Sequence, residues 1–280
     1  MSEETRQAAE MIINSRRFLA FAGAGLSQES GIPTFRGDEG IWQKYLPIIY
    51  GNPAGLFSAF VFSPGKFREF VVSALESFIL AVPNAGHQAL AELFRAGLLK
   101  AVITQNIDDL EARAGVKELI QLHGNIYRMR CVSCKELWTM TREQLLEVLE
   151  HLKQARTRGE MIELGRRFGR CPHCAGWGRP DIVLFGESLD QEEYYHAVEL
   201  ARSSDLVMVL GTSGVVYPAA MIPNYARKAG AKIIELNPEK SEMSQFSELV
   251  IRAACASALP EIVAEIKKMS PELFQPLSGA

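Results

Sequence analysis

Five apolar runs in this chain each stop at a polar or glycine-rich turn, and no other feature constrains the fold as strongly. They are residues 18–21 (FLAF) before AGAG, 100–104 before QNID, 182–185 before GE, 206–210 before GTSG and 231–236 before NPE. A sixth run, 249–251, lies near the end. Helical apolar spacing fills most of the gaps: 3–16, 84–97, 106–114, 191–202, 218–229 and 258–269. Strands that alternate with helices imply a parallel sheet with helices on both faces. Such sheets bind ligands outside the carboxyl ends of their strands. We therefore expect an α/β, Rossmann-like fold with every one of these turns at the binding edge.

Two stretches break the rhythm. Residues 124–180 hold a charged helix at about 141–153, a basic stretch (RTRGEMIELGRRFGR) and two C-x-x-C pairs, Cys131/Cys134 and Cys171/Cys174. Two such pairs, 36 residues apart, read as four thiolates around a structural Zn²⁺, a closed site that holds together a module with a small core. Residues 38–80 read as a second, helical insertion ending in the helix 66–80. The expected division is a discontinuous nucleotide-binding domain (1–37, 81–123 and 181–270), the insertion 38–80 and the zinc module 124–180.

Composition removes several classes. With 48% hydrophobic and 22% charged residues over 280, the chain is of ordinary globular type. A net charge of −3 gives no bulk reason to bind nucleic acid. The acidic start MSEETRQ does not resemble a secretory signal, and no apolar run approaches the length of a membrane helix. We expect a cytoplasmic protein, and a monomer.

Three groups of residues carry chemistry. Gly23 and Gly25 allow positive φ and close backbone approach to a pyrophosphate. Gln28 stands where a dehydrogenase fingerprint has its third glycine, and Asp38 and Glu39 sit in a loop rather than at a strand end, so hydride transfer fits poorly. Thr104, Gln105, Asn106, Ile107 and Asp108 precede a His123 flanked by Gly124 and Asn125, and a histidine there suits general-base work. His87, His151, His173 and His196 read as packing histidines. Gly211, Thr212, Ser213, Asn237, Pro238 and Glu239 follow strands and suit phosphate and ribose oxygens, or plain turns.

Taken in order, GAGLSQESGIPTFRG (23–37), TQNID (104–108), HGN (123–125), the two cysteine pairs, PDIVLFGE (180–187), GTSGVVYPA (211–219) and ELNPE (235–239) resemble the sirtuin family of NAD-dependent protein lysine deacylases. The resemblance implies that NAD is a co-substrate that is cleaved. The turn Ala22–Gly25 with Ser27 would hold the pyrophosphate. Ser30, Ile32, Asn106 and Asp108 would line a nicotinamide pocket, with Thr34, Phe35 and Arg36 in a cofactor loop where Phe35 shields the ribose. Gln105 and Ile107 would flank it. Thr212, Ser213, Asn237, Pro238, Glu239 and Cys255 would lie along the adenosine half. Val183, Leu184, Phe185, Gly186 and Glu187 would pair with the substrate backbone as an added strand.

The implied reaction starts with attack of the acyl-lysine carbonyl oxygen on the nicotinamide ribose, and nicotinamide leaves. His123, with Asn106, then serves as catalytic residue, His123 acting as base on the ribose hydroxyls. The products are lysine, nicotinamide and O-acyl-ADP-ribose. Thr34 replaces the aspartate common at its position, which bears on subclass. Desuccinylase-type members carry a Tyr-x-x-Arg pair where this chain has Val71 and Ala74, so a succinyl carboxylate would lack its cation. Deacetylation is expected. The run Phe67, Phe70, Val71, Val72, Leu75, Phe78 and Ile79 reads as a packed helix or as an apolar channel for longer fatty acyl groups. Protein mono-ADP-ribosyl transfer is an alternative. So is a zinc-stabilised module that senses NAD or binds nucleic acid through residues 156–170.

Overall fold

The computed structural model describes residues 3–34 and 41–275. Along the chain run α1 (Glu3–Ile13), β1 (Phe18–Ala22), α2 (Ile41–Lys44), α3 (Pro47–Tyr50), α4 (Pro53–Phe62), α5 (Pro64–Leu80) and α6 (Ala85–Arg95). Then follow β2 (Leu99–Thr104), α7 (Leu110–Ala114), β3 (Leu119–Gln121), β4 (Gly124–Cys131), β5 (Leu137–Thr139), α8 (Arg142–Gln154) and α9 (Arg158–Phe168). The last are β6 (Gly178–Ile182), α10 (Gln191–Ser203), β7 (Leu206–Leu210), α11 (Ile222–Lys228), β8 (Lys232–Leu236), β9 (Leu249–Ile251) and α12 (Cys255–Met269).

Six strands form one sheet in the order β3-β2-β1-β7-β8-β9, and every neighbouring pair is parallel. Period-2 alternation builds its two faces. Phe18, Ala20 and Ala22 of β1 join Leu206, Met208 and Leu210 of β7 in one cluster, under helices α1, α6 and α12. Leu19, Phe21, Val207 and Val209 point the other way, into α10 and α11. Both central strands are buried along their whole length, which is why they read as unbroken apolar runs. The strand order reverses at β1/β7, and loops leaving two such strands diverge to open a crevice.

The second body is a three-stranded antiparallel sheet, β5-β4-β6, with α8 and α9. It corrects one expectation. Residues 182–185 are not a strand of the large sheet: only Ile182 is in a strand, and β6 pairs antiparallel with β4. The apolar run there is a short edge followed by a turn. A second correction concerns 106–114, where helix begins only at Leu110. Asp109 before it adopts φ 65, a left-handed conformation that cannot continue a helix.

Helix α5 joins the two bodies, and its apolar residues split three ways. Phe67 and Phe70 pack with Tyr45 and Tyr50. Val71, Val72, Leu75 and Ile79 pack with Leu145, Leu149 and Leu152 of α8. Phe78 turns to Ile32, Ala81 and Leu110. The packed-helix reading of this run is what the structure shows. Among the described residues no single helix is long and apolar enough to cross a membrane.

Candidate functional site

The crevice is built from four turns at the carboxyl ends of β1, β2, β7 and β8. The two glycine turns meet directly. A Cβ on Gly25 would stand 2.7 Å from Gly211 Cα, and one on Gly23 would stand 2.6 Å from Thr212 Cβ. Gly211 itself has φ 54, and a Cβ there would stand 2.6 Å from Gly25 Cα. This corrects the reading of the first turn. Gly23 is extended at φ −129, and neither it nor Gly25 has positive φ. Their missing side chains let the β1 and β7 turns touch, with Gly23 N–H on Leu210 O (2.9 Å) and Gly25 N–H on Gly211 O (2.8 Å).

A polar network fills the β1–β2 side. Ser27 donates to Asp108 Oδ2 (2.7 Å) and accepts from Asn106 Nδ2 (3.3 Å). Asn106 Nδ2 also reaches Gly23 O (3.1 Å), and Leu110 N–H caps Asp108 Oδ1 (3.0 Å). Ala24, Ser27, Ile32, Pro33, Ser77, Phe78, Asn106, Ile107 and Asp108 enclose a pocket of about 30 Å³, space for one water or so. Ser30 lies behind it, accepting from Asn84 Nδ2 (3.1 Å). Phe35 and Arg36 fall outside the described residues; Thr34 is described and half-buried.

Gln105 is the centre of the crevice. Its N–H binds Ala22 O (3.0 Å), its Nε2 donates to Thr212 Oγ1 (3.0 Å), and its carbonyl lies 2.9 Å from His123 Nδ1. A proton on His123 Nδ1 satisfies that contact and leaves Nε2 with its lone pair. Burial holds the His123 pKa below its ordinary value, so the neutral ring persists at neutral pH. Two residues on, Asn125 donates to Asp109 Oδ1 (2.7 Å) and Gln121 Oε1 (3.2 Å).

On the β7–β8 side Asn237 Nδ2 donates to Thr212 O (2.9 Å), while Ser213, Pro238 and Glu239 are exposed along the same edge. Buried Glu235 braces this loop by accepting from Ser241 and from Ser244 Oγ (2.6 Å) and pairing with Arg252 (3.2 Å). Cys255 is buried at the start of α12 with its thiol pKa pushed up to about 12 by burial, so it stays protonated.

The segment 183–187 crosses the mouth as a turn. Val183 N–H binds His123 O (2.9 Å), Phe185 N–H binds Gly51 O (2.8 Å), and Glu187 N–H binds Leu184 O (3.0 Å). Gly186 has φ 88 at its tip. Glu187 is held by Arg179 through both oxygens and accepts from Leu184 N–H (2.9 Å). Several of the amides expected to receive a peptide already have partners within the chain.

Residues missed from the sequence share one motif, Pro83-Asn84-x-x-His87. Asn84 caps α6 and donates to Leu26 O (2.8 Å). His87 is buried, as expected of a packing histidine, but its Nε2 also lies 3.4 Å from Ser27 Oγ. An Asn directly before a helical apolar pattern was the available signal.

The four cysteines come together. Sγ of Cys131 and Cys174 are 3.5 Å apart, and those of Cys134 and Cys171 are 3.6 Å apart. Zinc–sulfur bonds of about 2.3 Å in a tetrahedron need sulfurs about 3.8 Å apart, so the residues present fit that ion. Each pair is followed by a left-handed residue, Lys135 (φ 66) and Ala175 (φ 55), and the amides of Cys134 and His173 point at sulfur. A Cβ on Gly176 would stand 3.1 Å from Cys174 Sγ, so a side chain there would press on the knuckle.

The fold and the crevice define a nucleotide-binding α/β protein with a cysteine-clasped second lobe. The model of the Sir2 family matches residues 23–218, and the chain belongs to that family. It is 39% identical to an NAD-dependent protein deacylase of Pyrococcus abyssi over 94% of this chain and 98% of the relative. It is 41% identical to one of Thermococcus kodakarensis over 95% and 96%. Among solved structures, a Sir2 enzyme matches with TM-score 0.79 at 39% identity, covering 96% of this chain and all of the other. A Sir2 homologue–NAD complex matches at 0.76, with 33% identity and 94% of each chain covered. A Sir2 protein bound to a myristoylated histone peptide matches at 0.73, with 34% identity, 97% and 100% covered.

Proposed function

We propose that this protein is an NAD-dependent protein lysine deacylase that yields free lysine, nicotinamide and O-acyl-ADP-ribose. The observation that carries the reading is the placing of a neutral, backbone-oriented His123 across Gln105 from the Ser27–Asn106–Asp108 pocket, at the switch point of the sheet. NAD, the co-substrate, supplies a ribose whose bond to nicotinamide is broken.

The chain's residues divide the work. Asp108 and Asn106 receive the nicotinamide carboxamide, and Ser30 and Ile32 close the pocket around it. The turns Ala22–Ser27 and Gly211–Ser213 take the pyrophosphate and adenosine half, with Asn237, Pro238, Glu239 and Cys255 beyond them. Nε2 of His123 takes a proton from a ribose hydroxyl. Residues 183–187 seat the acyl-lysine peptide, exchanging part of their present hydrogen bonds for it. Phe35 shields the reacting ribose and Arg36 helps position the cofactor. The nucleotide domain comprises 1–37, 81–123 and 181–270, and the insertion 38–80 packs on the zinc module 124–180 through α5. Deacetylation is favoured over desuccinylation. The one arginine of α5, Arg68, already donates to Lys153 O and Ala155 O (3.0 Å each), and Val71 and Ala74 stand where a Tyr-x-x-Arg pair would meet a succinyl carboxylate.

The test is mass spectrometry of the purified protein with NAD and matched acetyl-, succinyl- and myristoyl-lysine peptides, beside His123→Ala. The expected result is NAD-dependent acyl loss with O-acyl-ADP-ribose formed, and about 10²–10⁴-fold less in the variant. No NAD consumption by folded, zinc-loaded protein would overturn the reading.

A further inference from the structure

Glu111 lies one turn from the pocket, on α7, and has no place in the mechanism above. It is completely buried. Its Oε1 accepts from Thr104 Oγ1 (2.7 Å), and Thr104 Oγ1 in turn accepts from Asn106 N–H (3.0 Å). Its Oε2 is buried and has no hydrogen-bond partner among the described residues. Ligand-type atoms of Glu111, Asp108 and His87 all lie within 4.8 Å of one another. Two carboxylates this close in a dry site do not both ionise cheaply.

The surroundings decide which one holds the proton. Burial raises both carboxyls, but Asp108 accepts two donors that oppose the rise, Ser27 Oγ and Leu110 N–H, one on each oxygen. Glu111 accepts one and leaves Oε2 bare. His87 does not take the proton. Its Nδ1 lone pair is occupied by Asn84 N–H (3.2 Å), and burial with Arg113 nearby pushes its pKa down to about 4. The other charges facing the pair are Asp109 before α7 and Arg113 at its last turn, held by Ala81 O (3.0 Å). Arg113 acts on Asp108, Asp109 and His87, while Asp109 adds a second negative field on Glu111.

We propose that Glu111 is a positioning residue that works as the neutral acid: it keeps the proton of the buried pair, so that Asp108 is the anion presented to the nicotinamide carboxamide. The role assigned to Asp108 rests on the deacylase reading; the site of the proton does not. Burial and the Asp108 charge push the Glu111 pKa up to about 8. Above that value a second negative charge appears behind the pocket, bonded through Thr104 to the backbone of Asn106.

The experiment compares wild type with Glu111→Gln, whose amide keeps an acceptor for Thr104 and a donor at the Oε2 position without ionising. The kcat/KM for NAD is measured against pH with an acetyl-lysine peptide. Wild type should lose about tenfold one pH unit above an alkaline midpoint, while the variant should change less than about twofold there and keep the same acid limb. An alkaline limb that survives in Glu111→Gln, or a folded variant inactive at every pH, would overturn the proposal. Difference infrared spectroscopy of the same two proteins reads the proton without turnover. A carboxylic-acid carbonyl band in wild type at neutral pH, absent in the variant and lost above about 8, is expected. If that band is present and no NAD is consumed, the deacylase reading fails and the proton assignment stands; if it is absent, the assignment fails.

Discussion

At the carboxyl edge of the large sheet, the polar atoms are held by each other and by apolar packing on both faces. Ser27, Asn106, Asp108, Gln105 and His123 are each fixed through at least one bond within the crevice, and Phe18 to Ala22 behind them are wholly buried. In the cysteine lobe the converging atoms are four sulfurs facing a common centre, and the core behind them is small: Tyr127, Met129, Met140 and three leucines of α8, completed by Leu75 and Ile79 borrowed from α5. The first region is stable because its own atoms satisfy one another. The second is complete only with an ion, whose binding free energy then becomes folding free energy.

Removing the ion separates the two. Cys171→Ala, or a strong chelator, should unfold residues 124–180 while the large sheet persists. Limited proteolysis should cut inside the lobe and leave the sheet resistant; a lobe equally protected without zinc would break the comparison. Gly211→Ala strikes the other side. A Cβ there meets Gly25 backbone at 2.6 Å in a left-handed conformation, so the variant should lose about 1–3 kcal/mol and weaken NAD binding, with zinc content unchanged. Denaturant melts and metal analysis on one sample decide this. The smallest effect is in pH. His123 is neutral until pH falls through a pKa that burial holds below the usual histidine range. The acid limb that His123 contributes to kcat/KM should therefore lie below that range. An acid limb that instead coincides with zinc loss would assign it to the thiolates.

Much of the large sheet was legible because β1, β7 and β8 are buried on both faces, and burial writes itself as an unbroken apolar run. The four cysteines were legible from spacing alone, since few other structures need that pattern. The run 182–185 misled because apolar residues in a turn and in a buried strand have the same letters. Gly23 and Gly25 were placed at the right loop with the wrong backbone conformation: neither has positive φ, and both also accommodate another turn, Gly211–Thr212, nearly 190 residues away. Nothing in the sequence singles out Glu111; packing shows that it is fully buried, with one oxygen unpartnered among the described residues.

Gln105 reaches Ala22 with its amide, Thr212 with its side chain and His123 with its carbonyl. One residue is thus a common datum for both ends of a long ligand. If the loop shifts, the base and the far hydroxyl shift with it, and the span between them is preserved. Alignment errors are shared rather than accumulated, as in an instrument whose two jaws are cut from one bar.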